Sequence, residues 1–309
     1  MNNALEKEIV NRINDYETPK RIALSKKYPF LKSTIIFFRC LAKSIQNALD
    51  FTIKNQRNDD FYRHIVARHQ IELREKSKGV DVRLQENKID NIKKAITKLN
   101  GFVINPGKTF SFWRAIGSPT YKNGYVNGRV YSNSRIIEGV GGGLCQLSTF
   151  LYWIFLHSPV KIAERHPHSI DVHPSPKQNI FSRSGATVLY NFFDLKVKND
   201  FKYPIQLKIW IVGNCLKGQI LPSGYMPENI HIREKNHCFI RVGNKVFQYN
   251  ELYREIKTDG TLVKVEKITA NFSQVLYAVS DEYIKENNYK IFDFSKKVSF
   301  EGQTGREKE

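Results

Sequence analysis

The sequence predicts an α+β protein in which a helix with a cysteine at its N-terminus packs on an antiparallel β-sheet, preceded by a helical N-terminal region. Three observations predict this class. Apolar residues recur at helical spacing up to about residue 100, and short apolar segments separated by turn residues dominate after it. Among those segments, three consecutive glycines lead into an apolar helical run that begins Leu144-Cys145.

Two helices are predicted in the first part of the chain. In residues 33–51, apolar side chains recur near helical spacing among basic residues. Such a basic amphipathic helix lies on an anionic membrane surface or packs on the main domain, and we favour packing. Residues 82–100 form the firmer helix. Its apolar residues keep helical spacing from Ile89 to Leu99, and Gly101 supplies a C-terminal stop.

Strands and turns are predicted for most of the remaining chain. The predicted strands are residues 102–105, 109–113, 126–132, 135–140, 160–173, 186–198 and 205–212. The last two are the strongest, and Asn199-Asp200 between them suggests a hairpin. The cysteine helix is expected to end at His157, before Ser158-Pro159. Residues 215–280 continue as short strands between glycine turns.

These elements predict four segments along the chain. They are a helical N-terminal region (1–80), a core domain (81–222), a small β-rich C-terminal extension (223–302) and a loose tail (303–309).

Composition and charge narrow the classes of function. Apolar residues make up 41% and aromatic residues 12% of the 309-residue chain, as in a globular protein with a sizeable core. The formal net charge of +19 favours anionic partners, such as an anionic membrane surface or anionic wall material. The basic residues form no block and accompany no recognition motif, so nucleic acid is not an expected partner.

The cysteines and the apolar runs indicate the compartment. Cys40, Cys145, Cys215 and Cys238 form no C-x-x-C pair and match no zinc-ribbon spacing. Free thiols are expected, with a disulfide between the last two as the alternative. No apolar run approaches the roughly 18 residues of a membrane span, and no signal peptide is recognised. The expected location is the cytoplasm or the inner face of the membrane.

Cys145 is the candidate nucleophile. A thiol in the first turn of a helix faces unpaired N–H groups and the positive end of the helix dipole, which favour thiolate. The glycines before it have little packing use in a core, so Gly142 and Gly143 are predicted to leave room for a substrate. Gln146 is predicted to help hold an oxyanion, or else to be only a polar residue of the first turn.

His166 and His168 are the candidate bases for Cys145. Residues i and i+2 of an extended segment share a face, so both imidazoles are expected on one side. The spacing does not decide which of them is the base. A zinc site made of His166, His168 and His173 is the alternative. We favour a site with no metal and no other cofactor.

Two further polar residues are candidates for the same site. Asp194 is predicted to fix the base imidazole, with Asp171 as the alternative. Arg165 is predicted to bind a substrate carboxylate, or else to form a surface ion pair. The remaining histidines form no recognisable constellation and are predicted to be structural: His64, His69, His157, His231 and His237.

Five motifs, in order along about residues 85–212, resemble the VanW family, which is named for an accessory protein of vancomycin-resistance clusters. They are Asn105-Pro106-Gly107-Lys108-Thr109-Phe110-Ser111-Phe112, Gly124-Tyr125, Gly141-Gly142-Gly143-Leu144-Cys145-Gln146-Leu147-Ser148-Thr149, Arg165-His166-Pro167-His168-Ser169 and Asp194-Leu195-Lys196-Val197-Lys198-Asn199. Exported relatives often carry Asp before the Ala-Thr-Val stretch, where this chain has Gly185.

The resemblance implies a role in glycopeptide resistance and cell-wall metabolism. Some relatives with an exported VanW domain are reported to be L,D-transpeptidases that use the motif cysteine. The resemblance therefore implies an acyl-transferase or amidase in which Cys145 attacks a stem-peptide carbonyl. The expected partner is a peptidoglycan stem peptide or an anionic wall precursor. The alternative is a non-catalytic accessory protein that binds such a precursor.

Overall fold

The computed structural model describes residues 3–17, 32–50, 52–53, 56–74, 81–132, 135–171 and 180–295. Within those ranges, helices and four β-sheets form a mixed α+β fold, which confirms the predicted class. None of the helices in these ranges is long and apolar enough to cross a bilayer. The four cysteines are free thiols. The segment boundaries at residues 80, 222 and 302 stay a prediction.

The N-terminal part is only partly helical. It contains α1 (Asn3–Glu17), α2 (Lys32–Leu49) and the strand β1 (Ala67–Glu72). Helix α2 matches the helix predicted over 33–51. The prediction of a helical region is wrong for β1, which pairs antiparallel with a strand at 215–222. Residues of β1 alternate in burial, so tertiary pairing decides the structure of this short segment.

Helix α3 (Val82–Leu99) agrees with the predicted helix. Asp81 caps it, because its carboxylate accepts from the N–H of Leu84 at 3.2 Å. Gly101 follows with φ of 78°, as a stop in the left-handed region requires. The apolar side of α3 is buried in the main core, with Ile92 and Leu99 fully covered.

Three small sheets surround this core. The first has the antiparallel order β1-β10-β9-β2, with β2 at Phe102–Ile104, β9 at Ile205–Val212 and β10 at Cys215–Pro222. The second has the order β3-β8-β6, with β3 at Thr109–Ser111, β8 at Lys196–Lys198 and β6 at Lys161–Glu164. The third is the predicted hairpin of β4 (Asn127–Ser132) and β5 (Arg135–Val140).

Two strand predictions are wrong in this region. Strand β3 ends at Ser111, whose hydroxyl caps the short helix α4 (Phe112–Ile116) by accepting from Arg114 N–H at 3.2 Å. Most of residues 186–198 is not a strand, and only β8 at its end joins a sheet. Strand β9 pairs with β10 and β2, so the predicted hairpin across Asn199-Asp200 does not form.

Helix α5 (Leu144–Leu156) is the predicted cysteine helix. Nearly all of its residues after Gln146 are buried, and it contacts α3, β1 and β10. The carbonyl of its last residue is satisfied from a distant strand, because Arg254 donates to the carbonyl of Leu156 at 3.1 Å. Arg254 also donates at 3.0 Å to the carbonyl of Val160, which follows the helix.

The last third of the chain forms a five-stranded sheet of order β14-β11-β12-β13-β7. Its members are β11 (Glu228–Val242), β12 (Lys245–Thr258), β13 (Thr261–Val275), β14 (Lys290–Asp293) and β7 (Ile170–Asp171), and α6 (Asp281–Glu286) lies between β13 and β14. Turns form at Gly243 and Gly260 as predicted, but the strands they join are 14–15 residues long rather than short. Gly218, where a turn is also predicted, lies inside β10. Helix α1 packs on this sheet through Ile9 and Ile13.

Candidate functional site

The glycines before α5 bring its first turn against β4 and α3. A Cβ on Gly142 would meet the backbone carbon of Gly128, and one on Gly143, whose φ is 99°, would meet the side chain of Lys88. Asn91 of α3 fixes the bend by donating to the carbonyl of Gly142 at 2.9 Å. The glycines therefore have a packing use, contrary to the prediction: they permit the close approach that sets where α5 begins. Substrate binding at Gly142 and Gly143 stays a prediction.

Cys145 is partly exposed in the first turn of α5. Its thiol donates to the carbonyl oxygen of Val188, with 3.4 Å between Sγ and O. Within the described residues its backbone N–H has no hydrogen-bond acceptor, as is usual for the first turn of a helix. An unpaired N–H beside the sulfur is a donor suited to a developing oxyanion.

Burial raises the pKa of the Cys145 thiol above its ordinary value. This direction is opposite to the thiolate expected at a helix N-terminus, because desolvation is the largest influence on the pKa of the sulfur. The resting group is a thiol that is hydrogen-bonded to a backbone carbonyl.

His168 contacts Thr149, which stands one helical turn after Cys145 in α5. Its Nδ1 is 2.7 Å from Oγ1 of Thr187, and its Nε2 is 3.4 Å from Oγ1 of Thr149. Thr187 donates onward to the carbonyl of Pro167 at 3.4 Å, so its oxygen accepts from Nδ1–H and the lone pair is on Nε2. That lone pair points to α5, where Thr149 stands four residues after Cys145 and on the same side.

His168 is a neutral, half-buried imidazole. Desolvation and the nearby Arg165 lower its pKa to about 4. The ring lies directly against the backbone of Gly185, where an added Cβ would overlap its Cδ2 atom. A side chain at position 185 would therefore displace the imidazole.

His166 has different surroundings. Its Nε2 is 3.1 Å from Oε1 of Glu164, and its ring lies 4.4 Å from the ring of Phe193. Burial acts to raise the pKa of Glu164, but His166 together with Lys196 and Lys43 holds it below its ordinary value. In the described part of the chain, neither His166 nor His168 hydrogen-bonds Cys145. The two imidazoles bind different partners, so they do not act as one pair.

Among the described residues, Asp194 makes no hydrogen bond to a histidine. Its carboxylate accepts from the hydroxyl of Ser111 at 2.6 Å and from the N–H of Trp113 at 3.2 Å, so it stabilises the start of α4. Burial raises its pKa. The prediction that Asp194 fixes the base is corrected by these contacts, and Glu164 holds His166 instead. For Asp171, the structure gives a place in β7, paired with Val275.

Arg165 and Gln146 are engaged by the protein. The guanidinium group of Arg165 donates to the carbonyl of Gly185 at 2.9 Å and lies 4.9 Å from the ring centre of Tyr152. It thus holds the loop behind His168, and binding of a substrate carboxylate stays a prediction. Gln146 donates to the carbonyl of Glu72 at 3.3 Å, while its side-chain oxygen is buried without a partner.

The zinc alternative receives no support from the described residues, where no group of three or more His, Cys, Asp or Glu side chains is arranged to hold a metal ion. His173, the third histidine of the zinc alternative, lies outside the described residues. Three histidines that the sequence predicts to be structural line one cavity of about 250 Å³: His69, His157 and His231. Desolvation lowers the pKa of His69 to about 4, and its Nε2 is buried without a partner.

The structure adds four residues to the site that the sequence did not reveal. The carbonyl of Val188 accepts the hydrogen bond from the Cys145 thiol. Thr149 and Thr187 contact His168, and Glu164 binds His166. Two signals were present in the sequence. Thr149 follows Cys145 by four residues, the spacing that places side chains together on a helix. Glu164 precedes His166 by two residues, the spacing that places side chains on one face of an extended segment. The residues near 187 carry no comparable signal, because they meet α5 only through tertiary packing.

Comparison with known proteins gives two relatives. The model of the family described as VanW like protein matches residues 87–221. Over 213 residues the chain is 30% identical to the vancomycin B-type resistance protein VanW of Enterococcus faecalis, covering 68% of this chain and 78% of that protein. Over 126 residues it is 28% identical to the uncharacterized protein YoaR of Bacillus subtilis, covering 41% of this chain and 40% of that protein. No solved structure matches.

Proposed function

Because the chain belongs to the VanW family, we propose that it is a cysteine-dependent acyl-transferase or amidase acting on peptidoglycan peptides. The name of the Enterococcus relative links that protein to vancomycin resistance, and this supports a cell-wall substrate. One observation carries the chemical part of the proposal. The thiol of Cys145, a partly exposed residue, lies at the start of α5 beside a backbone N–H that has no acceptor among the described residues. The imidazole of His168 contacts Thr149, one turn further along the helix.

The proposed reaction has two steps. First, the thiol of Cys145 loses its proton, Sγ bonds to a carbonyl carbon of the stem peptide, and the oxygen takes up negative charge near the Cys145 N–H. The amide C–N bond then breaks, and the amine leaves with a proton, so that a thioester remains. In the second step an amine or a water molecule attacks that carbonyl, and the S–C bond breaks to restore the thiol.

His168 is the favoured proton carrier in this scheme. The resting site contains a neutral thiol and a neutral imidazole, since the pKa of the thiol is raised and that of His168 is lowered to about 4. In this scheme proton transfer accompanies the attack. Thr149, which is 3.4 Å from His168 Nε2, lies between the imidazole and the turn that carries Cys145.

A muropeptide tetrapeptide tests the proposal. We expect intact-protein mass spectrometry to detect an acyl adduct on the wild-type protein and on Cys215→Ala, which removes another partly exposed thiol. The adduct should be lost in Cys145→Ala. An adduct that persists in Cys145→Ala would exclude this residue as the nucleophile.

The second candidate is an accessory protein that binds a wall precursor without turnover. The raised pKa of Cys145 and its bond to Val188, rather than to a histidine, favour this alternative. It predicts saturable binding of the tetrapeptide that is equal in the wild-type protein and Cys145→Ala, with no adduct and no product in either.

A further inference from the structure

Helix α2 presents four large apolar side chains to solvent. Phe37 and Phe38 are each 61% exposed, Ile45 is 50% exposed and Leu41 is 42% exposed. At 3.6 residues per turn, these positions span only about 100° of the helix circumference. They therefore form one continuous surface, which we call the apolar face of α2. Isolated exposed apolar residues are normal on proteins, but a continuous patch marks an interaction site.

The opposite side of α2 holds the helix to the protein. Lys43 lies about half a turn away from the centre of the apolar face. Its ammonium group is 3.3 Å from Oε2 of Glu164, and its side chain is only 23% exposed. A surface helix of a globular protein ordinarily does the reverse, with its apolar side on the core and its polar side in water. The preferred interpretation of the sequence, a helix whose apolar side packs on the main domain, is therefore wrong for these four residues.

We propose that the apolar face of α2 docks on the surface of an anionic lipid bilayer. Phenylalanine, leucine and isoleucine on one side of a helix enter the boundary between headgroups and acyl chains, while the helix lies in the plane of the membrane. Charge complementarity selects the kind of surface, because the chain carries a formal net charge of +19. The contact is peripheral, since no described helix could cross the bilayer.

Docking through α2 would place the candidate site beside the membrane. Glu164, which binds Lys43 of α2, also binds His166 and accepts from the backbone N–H of Asp194. One carboxylate thus joins the docking helix to the histidine segment. If the proposed function holds, the substrate class is a wall precursor that is itself anchored in the membrane, rather than a free peptide.

Vesicle sedimentation tests the docking without using activity. The full-length protein is mixed with vesicles of phosphatidylcholine alone or of phosphatidylcholine with phosphatidylglycerol. We expect the wild-type protein to bind only the anionic vesicles, and the double variant Phe37→Ser, Phe38→Ser to bind at least tenfold less. The matched control is Leu262→Ser, Val263→Ser, which removes two exposed apolar side chains from β13 and should bind as the wild type does.

Three results would overturn the docking. They are no binding by the wild-type protein, an equal loss in the control variant, or a change from dimer to monomer in the Phe37→Ser, Phe38→Ser variant with vesicle binding unchanged. The last result would assign the face to a second copy of the chain. Because all four substituted residues are exposed, thermal unfolding should be the same in both variants. Adduct formation with a soluble tetrapeptide is measured separately, so a failure of docking is distinct from a failure of the proposed chemistry.

Discussion

His168 rests against the backbone of Gly185, so the residue at position 185 governs where this imidazole lies. A single added carbon atom at this position would overlap the ring of His168. Arg165 reinforces the arrangement from behind, because it donates to the carbonyl of Gly185 at 2.9 Å.

The variant Gly185→Ala should displace His168. The added methyl group overlaps the ring, and such overpacking costs about 1–3 kcal/mol. We expect a lower unfolding midpoint and loss of adduct formation at Cys145. Gly243→Ala is the control, since no atom lies within 4 Å of its added Cβ and only backbone strain of about 1 kcal/mol is expected at its φ of 56°. Unchanged adduct formation in Gly185→Ala would remove His168 from the site.

The pH dependence of Cys145 alkylation follows from its burial. A raised pKa means that thiolate appears only at higher pH, so the rate of reaction with iodoacetamide should have its midpoint above the roughly 8.5 of a free thiol. The Cys40→Ala, Cys215→Ala variant isolates the signal, because the remaining Cys238 is buried and its pKa is raised to about 12. A midpoint below 8.5 would mean that the helix dipole, rather than desolvation, controls the thiol.

The residues of the site were predictable in unequal degree. Cys145 and the two histidines follow from local sequence, because a glycine bend before a helix and an i, i+2 pair are local patterns. Thr187 was not predictable, since it reaches His168 only through tertiary packing. Glu164 lies two residues before His166, so its contact follows the same local i, i+2 pattern. The role predicted for Asp194 is wrong because a carboxylate in an apolar segment suggests catalysis. Here the carboxylate stabilises the start of α4, where the sequence predicts a strand.

At the scale of elements, residues 186–198 show a pattern of residues that does not predict the structure. Val, Leu, Tyr and Phe predict a strand there, yet the chain turns at Asn191, whose φ is 58°, and Leu189 bridges Phe193. Asparagine tolerates the left-handed conformation and so ends the strand. The helices α3 and α5 were predicted almost to the residue, because long periodic runs with stop signals depend little on distant contacts.

The C-terminus of α5 depends on one buried arginine. Arg254→Met should destabilise the protein by about 3 kcal/mol, since the carbonyls of Leu156 and Val160 would lose their donor inside the protein. Urea unfolding measures the change. Arg233→Met serves as the control, because it breaks an exposed pair with Glu255 and should cost less than about 1 kcal/mol. Equal losses in the two variants would mean that Arg254 is not the cap.

At the scale of the whole molecule, the long strands of the C-terminal sheet carry a buried polar network. Glu251 on β12 accepts from Lys267 at 2.6 Å, from Tyr249 at 2.7 Å and from Asn236 at 2.8 Å. Burial opposes ionisation, but these bonds lower the pKa of Glu251 to about 2.

Acid titration should therefore weaken the whole fold. A carboxyl group whose pKa is lowered from 4.5 to about 2 contributes roughly 3 kcal/mol of stability above pH 4.5, and this is lost as the pH falls through 2. We expect Glu251→Gln to be less stable than the wild-type protein at pH 7 and nearly as stable as it at pH 2. A difference that stays constant over this range would assign the effect to packing rather than to ionisation.

The pairing of β7 with β13 has a practical consequence for recombinant work. The family match ends at residue 221, but β7, which follows the histidines directly, takes its partner from residues 274–275, and β10 takes its outer neighbour from residues 67–72. A fragment trimmed to the matched region would leave two unpaired strand edges, which are templates for aggregation. Because β14 pairs with β11 and α1 packs on the same sheet, expression trials that keep residues 3–295 together should yield monodisperse material where the shorter fragment precipitates.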